Sequence, residues 1–285
     1  MDILIKKTKE YELIDSGNGE KLERFGSFVI RRPDPEAMWT KNKDLKIWQE
    51  ADFSFLKNKG WSQKNKTIKE WTIEYAGLNF VIRPTSFKHL GLFPEQIENW
   101  QWMDKIIRQN NDREISVLNL FAYTGGASLV CAKAGAFVCH LDASKNAVLW
   151  ARENAKASLL KDKPIRWIVD DVIAFLKREI KRGKKYDAII MDPPAFGHGP
   201  KDELWKIEEG FLELIELSKK LLTDKPLFFL INGYTAGYSA TVYENNLKEI
   251  FKDFGVIEKG ELLIVEDGGK RLLPSGIYAR WKRND

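Results

Sequence analysis

The sequence predicts an α/β chain: seven strands in a mainly parallel sheet with helices on both faces, a closing antiparallel hairpin, and a small β-rich appendage at the N-terminus. Three observations predict it. From residue 115 onward, short β-rich apolar runs alternate with runs of helical spacing, the pattern of successive β-α units. The last two strand-like runs are separated only by "GGKRLLPS", which reads as a hairpin loop. Residues 1–85 alternate apolar and polar side chains around glycine turns.

In chain order, "YELIDSGNGEKLERFGSFVIRRPDP" (11–35) reads as short strands around a glycine turn. In "EWTIEYAGLNFVIRP" (70–84), Trp71, Ile73 and Tyr75, then Leu78, Phe80 and Ile82, fall on alternate positions, as in a hairpin with one buried face. A connecting helical segment is expected over 86–114. "ISVLNLF" (115–121), "AFVCHLD" (136–142), "IRWIVD" (165–170), "YDAIIMD" (186–192) and "LFFLIN" (227–232) are the five parallel strands. Helices are expected over 127–135, 144–160, 172–182, 202–222 and 243–255, with Ser144 an N-cap and Gly135 and Gly255 closing two of them. Strands around 261–267 and 276–283 finish the sheet. The expected organisation is an appendage over 1–85 and one large domain over 86–285.

The 285 residues, 44% apolar, suffice for a sizeable core. The net charge of +5 permits an anionic partner without requiring one. Residues 41–69 hold eight lysines against Asp44, Glu50 and Asp52, with Trp48, Phe53, Phe55 and Trp61 among them. That mixture suits a surface tracking a nucleic-acid backbone, or a solvated face over a small core. Cys131 and Cys139 sit in apolar settings without C-x-x-C spacing, which fits neither a disulfide framework nor a zinc site and points to a reducing cytoplasm. "MDILIKKTKE" is too polar for a signal peptide, and no apolar run approaches the ~20 residues of a membrane span.

In parallel α/β sheets ligands bind beyond the carboxyl ends of the strands. Strand one leaves into "NLFAYTGGAS" (119–128), whose two glycines suit close backbone approach to a ligand, or simply a tight turn. This is not the G-x-G-x-x-G of a dinucleotide site. Asp142 ends strand two, where a carboxylate can accept both hydroxyls of a ribose or favour a helix N-terminus. Asp170 and Asp171 end strand three, as an adenine contact or a helix cap. "MDPPAFG" ends strand four. Two prolines make a stiff bend that holds the Asp192 carboxylate and nearby carbonyls at the rim, and Phe196 can offer a ring face to a planar base. An acid and a stacking wall suit a flipped nucleobase or a planar amide. His140 reads as a core residue, and His198 as a proton acceptor or a loop residue; no metal-ligand spacing occurs.

"VLNLFAYTGGAS", "HLD", "DDV" and "DPPAFG" together resemble the motifs of Rossmann-like class I S-adenosylmethionine-dependent methyltransferases. "FKHLGLFPEQIENW" (87–100) and the opening "YELIDSGNGEKLERFG" resemble the bacterial large-subunit ribosomal RNA methyltransferase group. The resemblance implies S-adenosyl-L-methionine as cofactor and ribosomal RNA as partner. It implies that Asn119, Phe121, Ala122, Tyr123, Thr124, Gly125 and Gly126 wrap the methionine end, with Asp142 on the ribose and Ser144 nearby. Asp171 and Val172 would meet the adenine, and Phe93 and Gln96 would cover the cofactor. Asp192, Pro193, Pro194 and Phe196 would hold the methyl acceptor. One departure matters: cytosine-5 members of the group use a cysteine after strand five, where this chain has "LINGYTAG" (230–237) and Asn232. Direct transfer to a nitrogen is therefore expected. The competing readings are a methyltransferase for a protein amide or small molecule, a nicotinamide oxidoreductase, and a non-catalytic RNA-binding module with this fold.

Overall fold

The computed structural model describes every residue except Asn58, Thr235, Ala236, Asp253 and Asp285. The chain divides into two compact units, residues 3–97 with 262–275, and residues 1–2, 98–261 and 276–285. The division falls at 97/98 rather than at 85/86. Residues 90–97 belong with the first unit because Leu90 and Leu92 are buried and the hydroxyl of Tyr75 donates to the carbonyl of Pro94 (3.0 Å).

The N-terminal unit opens with β1 (Ile3–Ile5), followed by β2 (Tyr11–Gly17), β3 (Glu20–Phe25), β4 (Phe28–Pro33), α1 (Leu45–Gln49), β5 (Phe53–Leu56) and β6 (Gly60–Gln63). Strands β2 to β6 form one sheet in chain order, antiparallel except for the β4–β5 pair. A buried carboxylate organises the lysine-rich segment: Asp15 accepts from the Asn42 and Lys43 amides and from the Trp48 indole. Glu23, also buried, takes Arg32 and the Tyr11 hydroxyl. The expected hairpin is β7 (Trp71–Tyr75) and β8 (Leu78–Ile82), turning through Ala76 and Gly77, both at positive φ.

A 3-10 turn over Pro94–Gln96 leads into α2 (Ile97–Gln109). The second unit then alternates strand and helix: β9 (Ser116–Leu120), α3 (Gly126–Ala134), β10 (Phe137–Asp142), α4 (Lys145–Ala157), β11 (Ile165–Val169), α5 (Val172–Lys181) and β12 (Ala188–Met191). A hairpin, β13 (Phe196–His198) and β14 (Leu204–Lys206), precedes α6 (Ile207–Lys220); β15 (Phe228–Gly233), α7 (Ala240–Phe251), β16 (Val256–Val265) and β17 (Leu272–Lys282) complete the chain. The sheet runs β16-β17-β15-β12-β9-β10-β11, with β9 parallel to both β10 and β12, so the topology switches at β9. Strand β17 runs against β15. The mainly parallel expectation holds, but the sheet has eight strands rather than seven, because β1 pairs with β16 at its edge. Leu118, Leu120, Ile189, Met191, Phe229 and Ile231 project from one sheet face into a core shared with α5, α6 and α7.

Four expectations change. The helix expected over 202–222 begins only at Ile207, because Leu204–Lys206 pair antiparallel with Phe196–His198 and Asp202 turns at φ 67°. The expected loop 268–275 is partly strand, since β17 starts at Leu272. The polar-looking N-terminus contributes a strand: β1 pairs in parallel with Leu262–Ile264, within the N-terminal unit. The helix expected over 243–255 spans Ala240–Phe251, and its Asp253 lies outside the described residues.

Candidate cofactor and acceptor site

All of the strand-end residues singled out above fall in the second unit, at the carboxyl ends of β9, β10, β11 and β12. Beyond β9 the chain turns sharply: Phe121, Tyr123 and Gly125 all have positive φ. The Ala122 amide donates to the Leu141 carbonyl (3.0 Å), and the Asn154 side chain donates to the Thr124 carbonyl (2.9 Å), so this loop is tied to β10 and α4. Both glycines have packing reasons. Gly125 caps α3 at φ 90° with Ala151 against it, and a Cβ on Gly126 would lie 2.2 Å from Cζ2 of Trp100. Beneath the loop, buried Asn119 donates to the Ser128 hydroxyl (2.9 Å), which meets Nδ1 of buried His140 (2.9 Å). His140 is thus the core residue expected; burial pushes its pKa down to about 3.

Asp142 sits where loop and helix meet. One carboxylate oxygen accepts the Tyr123 amide and the other the Ser144 amide, each at 2.8 Å. Burial raises its pKa, opposed by these two amides. Each oxygen keeps a second lone pair, which is the acceptor set a vicinal diol needs. Ser144 caps α4 through Ala147 (3.2 Å). Asp171 caps α5 through the Ala174 amide (2.8 Å), and Asp170 pairs with Arg178, so capping accounts for the first and an ion pair for the second. Val172, buried, opens α5.

The β12 exit is built as a supported turn. Asp192 is half-buried, Pro193 buried, and Phe196 exposed at 56%, its ring 5.1 Å from that of His198. The support comes from the β13–β14 hairpin. The Trp205 indole donates to the Pro194 carbonyl (2.7 Å), the Ile207 amide donates to the Ala195 carbonyl (3.0 Å), and the Trp205 ring packs 5.1 Å from Phe121. Trp205 is concealed in a run that reads as helix; its one signal is a tryptophan following a loop rich in glycine and proline. His198 is exposed and pairs with Asp202 (2.8 Å), as a loop residue does.

Phe93 and Gln96 belong to the N-terminal unit: Phe93 precedes the 3-10 turn with its ring 5.3 Å from His89, and Gln96 is buried in that turn. Of 230–237, Thr235 and Ala236 lie outside the described residues. Both cysteines are buried and free, and burial raises both thiols, that of Cys139 to about 11. Among the described residues no helix is long and apolar enough to cross a membrane.

A parallel sheet with a tight turn after its first strand, a diol-ready acid after its second and a braced proline turn after its fourth defines a Rossmann-like enzyme with a nucleoside cofactor. The model of the S-adenosylmethionine-dependent methyltransferase family matches residues 32–223. The chain belongs to this family. A solved S-adenosylmethionine-dependent methyltransferase from Agrobacterium tumefaciens is 37% identical and superposes with a TM-score of 0.93, over 99% of this chain and 94% of that one. A structure complexed with SAH matches in fold alone, at 16% identity and a TM-score of 0.71, over 96% of this chain and 76% of its own. Ribosomal RNA large subunit methyltransferase I of Aeromonas salmonicida is 28% identical over 66% of this chain and 48% of its own length. The corresponding enzyme of Photobacterium profundum is 28% identical over 83% of this chain and 60% of its own. The chain therefore spans about half the length of the first of these ribosomal RNA methyltransferases and three-fifths of the second.

Proposed function

We propose that the chain methylates a nitrogen of a ribosomal RNA base by direct transfer. The braced turn at Asp192–Phe196 carries this reading: a carboxylate on a turn whose carbonyls are held by Trp205 and Ile207, and an exposed ring face, at the rim that also holds Asp142. When bound, the cofactor supplies an electrophilic methyl group on a positively charged sulfur. The chain's own residues bind and orient. Asp142 accepts the ribose hydroxyls with its free lone pairs, while its other lone pairs stay on Tyr123 and Ser144. The turn Asn119–Gly126 lines the methionine end, and Asp171 and Val172 border the adenine. Asp192 accepts an N–H of the target amine, which turns the nitrogen lone pair toward the methyl group, and Phe196 stacks on the base. The prolines and the Trp205 bond keep these groups in place before the base arrives, so little reorganisation is needed at reaction. Methyl transfer would leave the sulfur as a neutral thioether, and Asp192, which accepts the amine N–H, would be placed to pass the proton shed by the methylated nitrogen to solvent.

The named ribosomal RNA methyltransferases among the relatives support an RNA substrate. The N-terminal residues 1–85 are proposed as an RNA-contacting region, and the two free cysteines support a reducing, cytoplasmic setting. The test is methyl transfer from labelled S-adenosylmethionine to large-subunit RNA from a strain lacking the gene, with the modified nucleotide read by mass spectrometry. Label on a base nitrogen is the expected result. Label on protein or small molecules alone would overturn it.

A further inference from the structure

Asn232 is the last residue but one of β15, and its side chain is buried at 4% exposure. In the register, Ile231 of β15 pairs with Met191 of β12, so the next residues, Asn232 and Asp192, leave adjacent strands at the same level. Neighbouring strands lie ~4.8 Å apart. A side-chain amide can face either way, and coordinates alone seldom say which. Here a chain of contacts decides it. Glu258 accepts from Nε (2.8 Å) and from Nη2 (2.6 Å) of Arg280, whose guanidinium also lies over the Trp102 ring, 4.7 Å from its centroid. Nη1 of Arg280 donates to Oδ1 of Asn99 (3.2 Å). A guanidinium only donates, so the Asn99 atom facing it must be oxygen. Nδ2 of Asn99 therefore donates to Asn232, at 3.1 Å, and the Asn232 atom receiving it is Oδ1. Nδ2 of Asn232 is left without a protein partner among the described residues.

We infer that Asn232 is the hydrogen-bond donor of the acceptor site, with its polarity fixed by Glu258, Arg280 and Asn99. This rests on the reading of the β12 exit as the place where the base is held. Asp192 accepts and Asn232 donates, side by side. That pair matches an amine flanked by an unprotonated ring nitrogen: the amine meets Asp192 and the ring nitrogen meets Asn232. Uracil, whose ring N–H lies between two carbonyls, does not fit. Asn99 and Arg280 are positioning residues, acting through Asn232.

The relay predicts an inversion. In Asn99→Asp, the carboxylate still accepts from Arg280 but cannot donate, so Asn232 must rotate and present its oxygen to the base. Asn99→Asp should therefore copy Asn232→Asp, lowering kcat on RNA from the deletion strain at least tenfold. Affinity for S-adenosylhomocysteine should stay within about threefold in both. Wild-type turnover by either folded variant would overturn the inference. A second readout does not depend on turnover. In the full-length protein with S-adenosylhomocysteine, the Asn232 side-chain amide protons should exchange with solvent at least tenfold faster than those of Asn99, and slow in Asn99→Asp. The reverse order would overturn the assigned polarity even if no RNA were methylated, whereas failure of RNA methylation with the expected exchange order would fault only the proposed substrate.

Discussion

The indole of Trp100 fills the space that a side chain on residue 126 would need: a Cβ there would sit 2.2 Å from Cζ2 and 2.7 Å from Cη2. Trp100 is 5% exposed, on α2, and Gly126 is the first residue of α3. Alanine would ordinarily favour a helix over glycine by ~1 kcal/mol. Here the clash decides the sign. Gly126→Ala should destabilise the protein by ~1–3 kcal/mol, the usual cost of overpacking. Thermal melting should show the loss, and a Trp100→Leu background should shrink it, because neighbouring substitutions couple. Equal losses in both backgrounds would mean that the indole is not the obstacle.

Asp142→Ala removes both carboxylate oxygens from the proposed ribose contact. Hydrogen bonds to a charged group are worth ~1.5–3 kcal/mol each. Affinity for S-adenosylhomocysteine should fall at least about tenfold, since ~1.4 kcal/mol is one decade. The pH dependence follows from burial, which raises this carboxyl above the ordinary aspartate value. The ionised form binds the diol, so binding should weaken as pH falls through that raised value, earlier than an exposed aspartate would allow. Calorimetry across pH should find this component absent from Asp142→Asn. An unaltered acid limb in that variant would assign the titration elsewhere.

Glu95, in the N-terminal unit, is 5% exposed, and burial pushes its pKa up to about 7. Lys21 and Arg32 act to lower it and Glu23 to raise it, but burial dominates. An acid with a raised folded pKa stabilises the fold while protonated and loses that contribution as pH rises. The window runs from the ordinary 4.5 to about 7. The loss is on the order of 3 kcal/mol, at ~1.4 kcal/mol per unit. Glu95→Gln, neutral throughout, should remove this slope and be the more stable protein at pH 8. Denaturant titrations at pH 5 and pH 8 should show it; parallel losses in both proteins would not.

How much of this is legible in the sequence depends on which interactions set each feature. The five parallel strands are apolar runs whose burial fixes them locally, and Ser144 and Asp171 cap helices through amides three residues away. The β13–β14 hairpin is not legible, because "DELWK" continues an amphipathic helical pattern and only pairing to 196–198 and the bond from Trp205 to Pro194 override it. β1 is set by pairing to residues some 260 positions away. The glycine pair is legible as a turn, but the reason for Gly126 lies on α2. The polarity of Asn232 depends on Asn99 and Arg280, which sequence spacing does not bring together.

The lysine-rich segment separates into two groups. Lys41 lies on the Trp48 ring and pairs with Glu20, and Lys43 pairs with Asp267, so these two serve the fold. Lys57, Lys59, Lys66 and Lys69 are exposed. Trp48 and Phe53 are core residues, and Trp61 donates to the Thr85 and Phe87 carbonyls, so the aromatics serve packing first. If the proposed RNA surface is here, changing those four exposed lysines to glutamine should flatten the salt dependence of RNA binding. The slope should fall by ~0.7–0.9 for each phosphate that is no longer neutralised, with melting temperature unchanged. An identical slope would leave the segment a solvated face.

Transfer to carbon 5 of a cytosine requires a thiolate that first adds to the ring, because that carbon is otherwise a poor nucleophile. Neither cysteine can supply one. Cys131 is fully buried on α3, and Cys139, 4% exposed, lies within β10 between Val138 and His140, its thiol raised to about 11 by burial. Burial disfavours the thiolate of both. The double variant Cys131→Ser, Cys139→Ser should therefore keep its methyl-transfer rate within a few-fold of wild type wherever it folds. Serine places a hydroxyl among apolar neighbours, so some loss of stability is expected, and activity should be compared below the melting transition. RNA containing 5-fluorocytosine should give no complex that survives denaturing gel electrophoresis. A trapped adduct, or a folded double variant without activity, would place a cysteine in the reaction and remove the argument for a nitrogen acceptor.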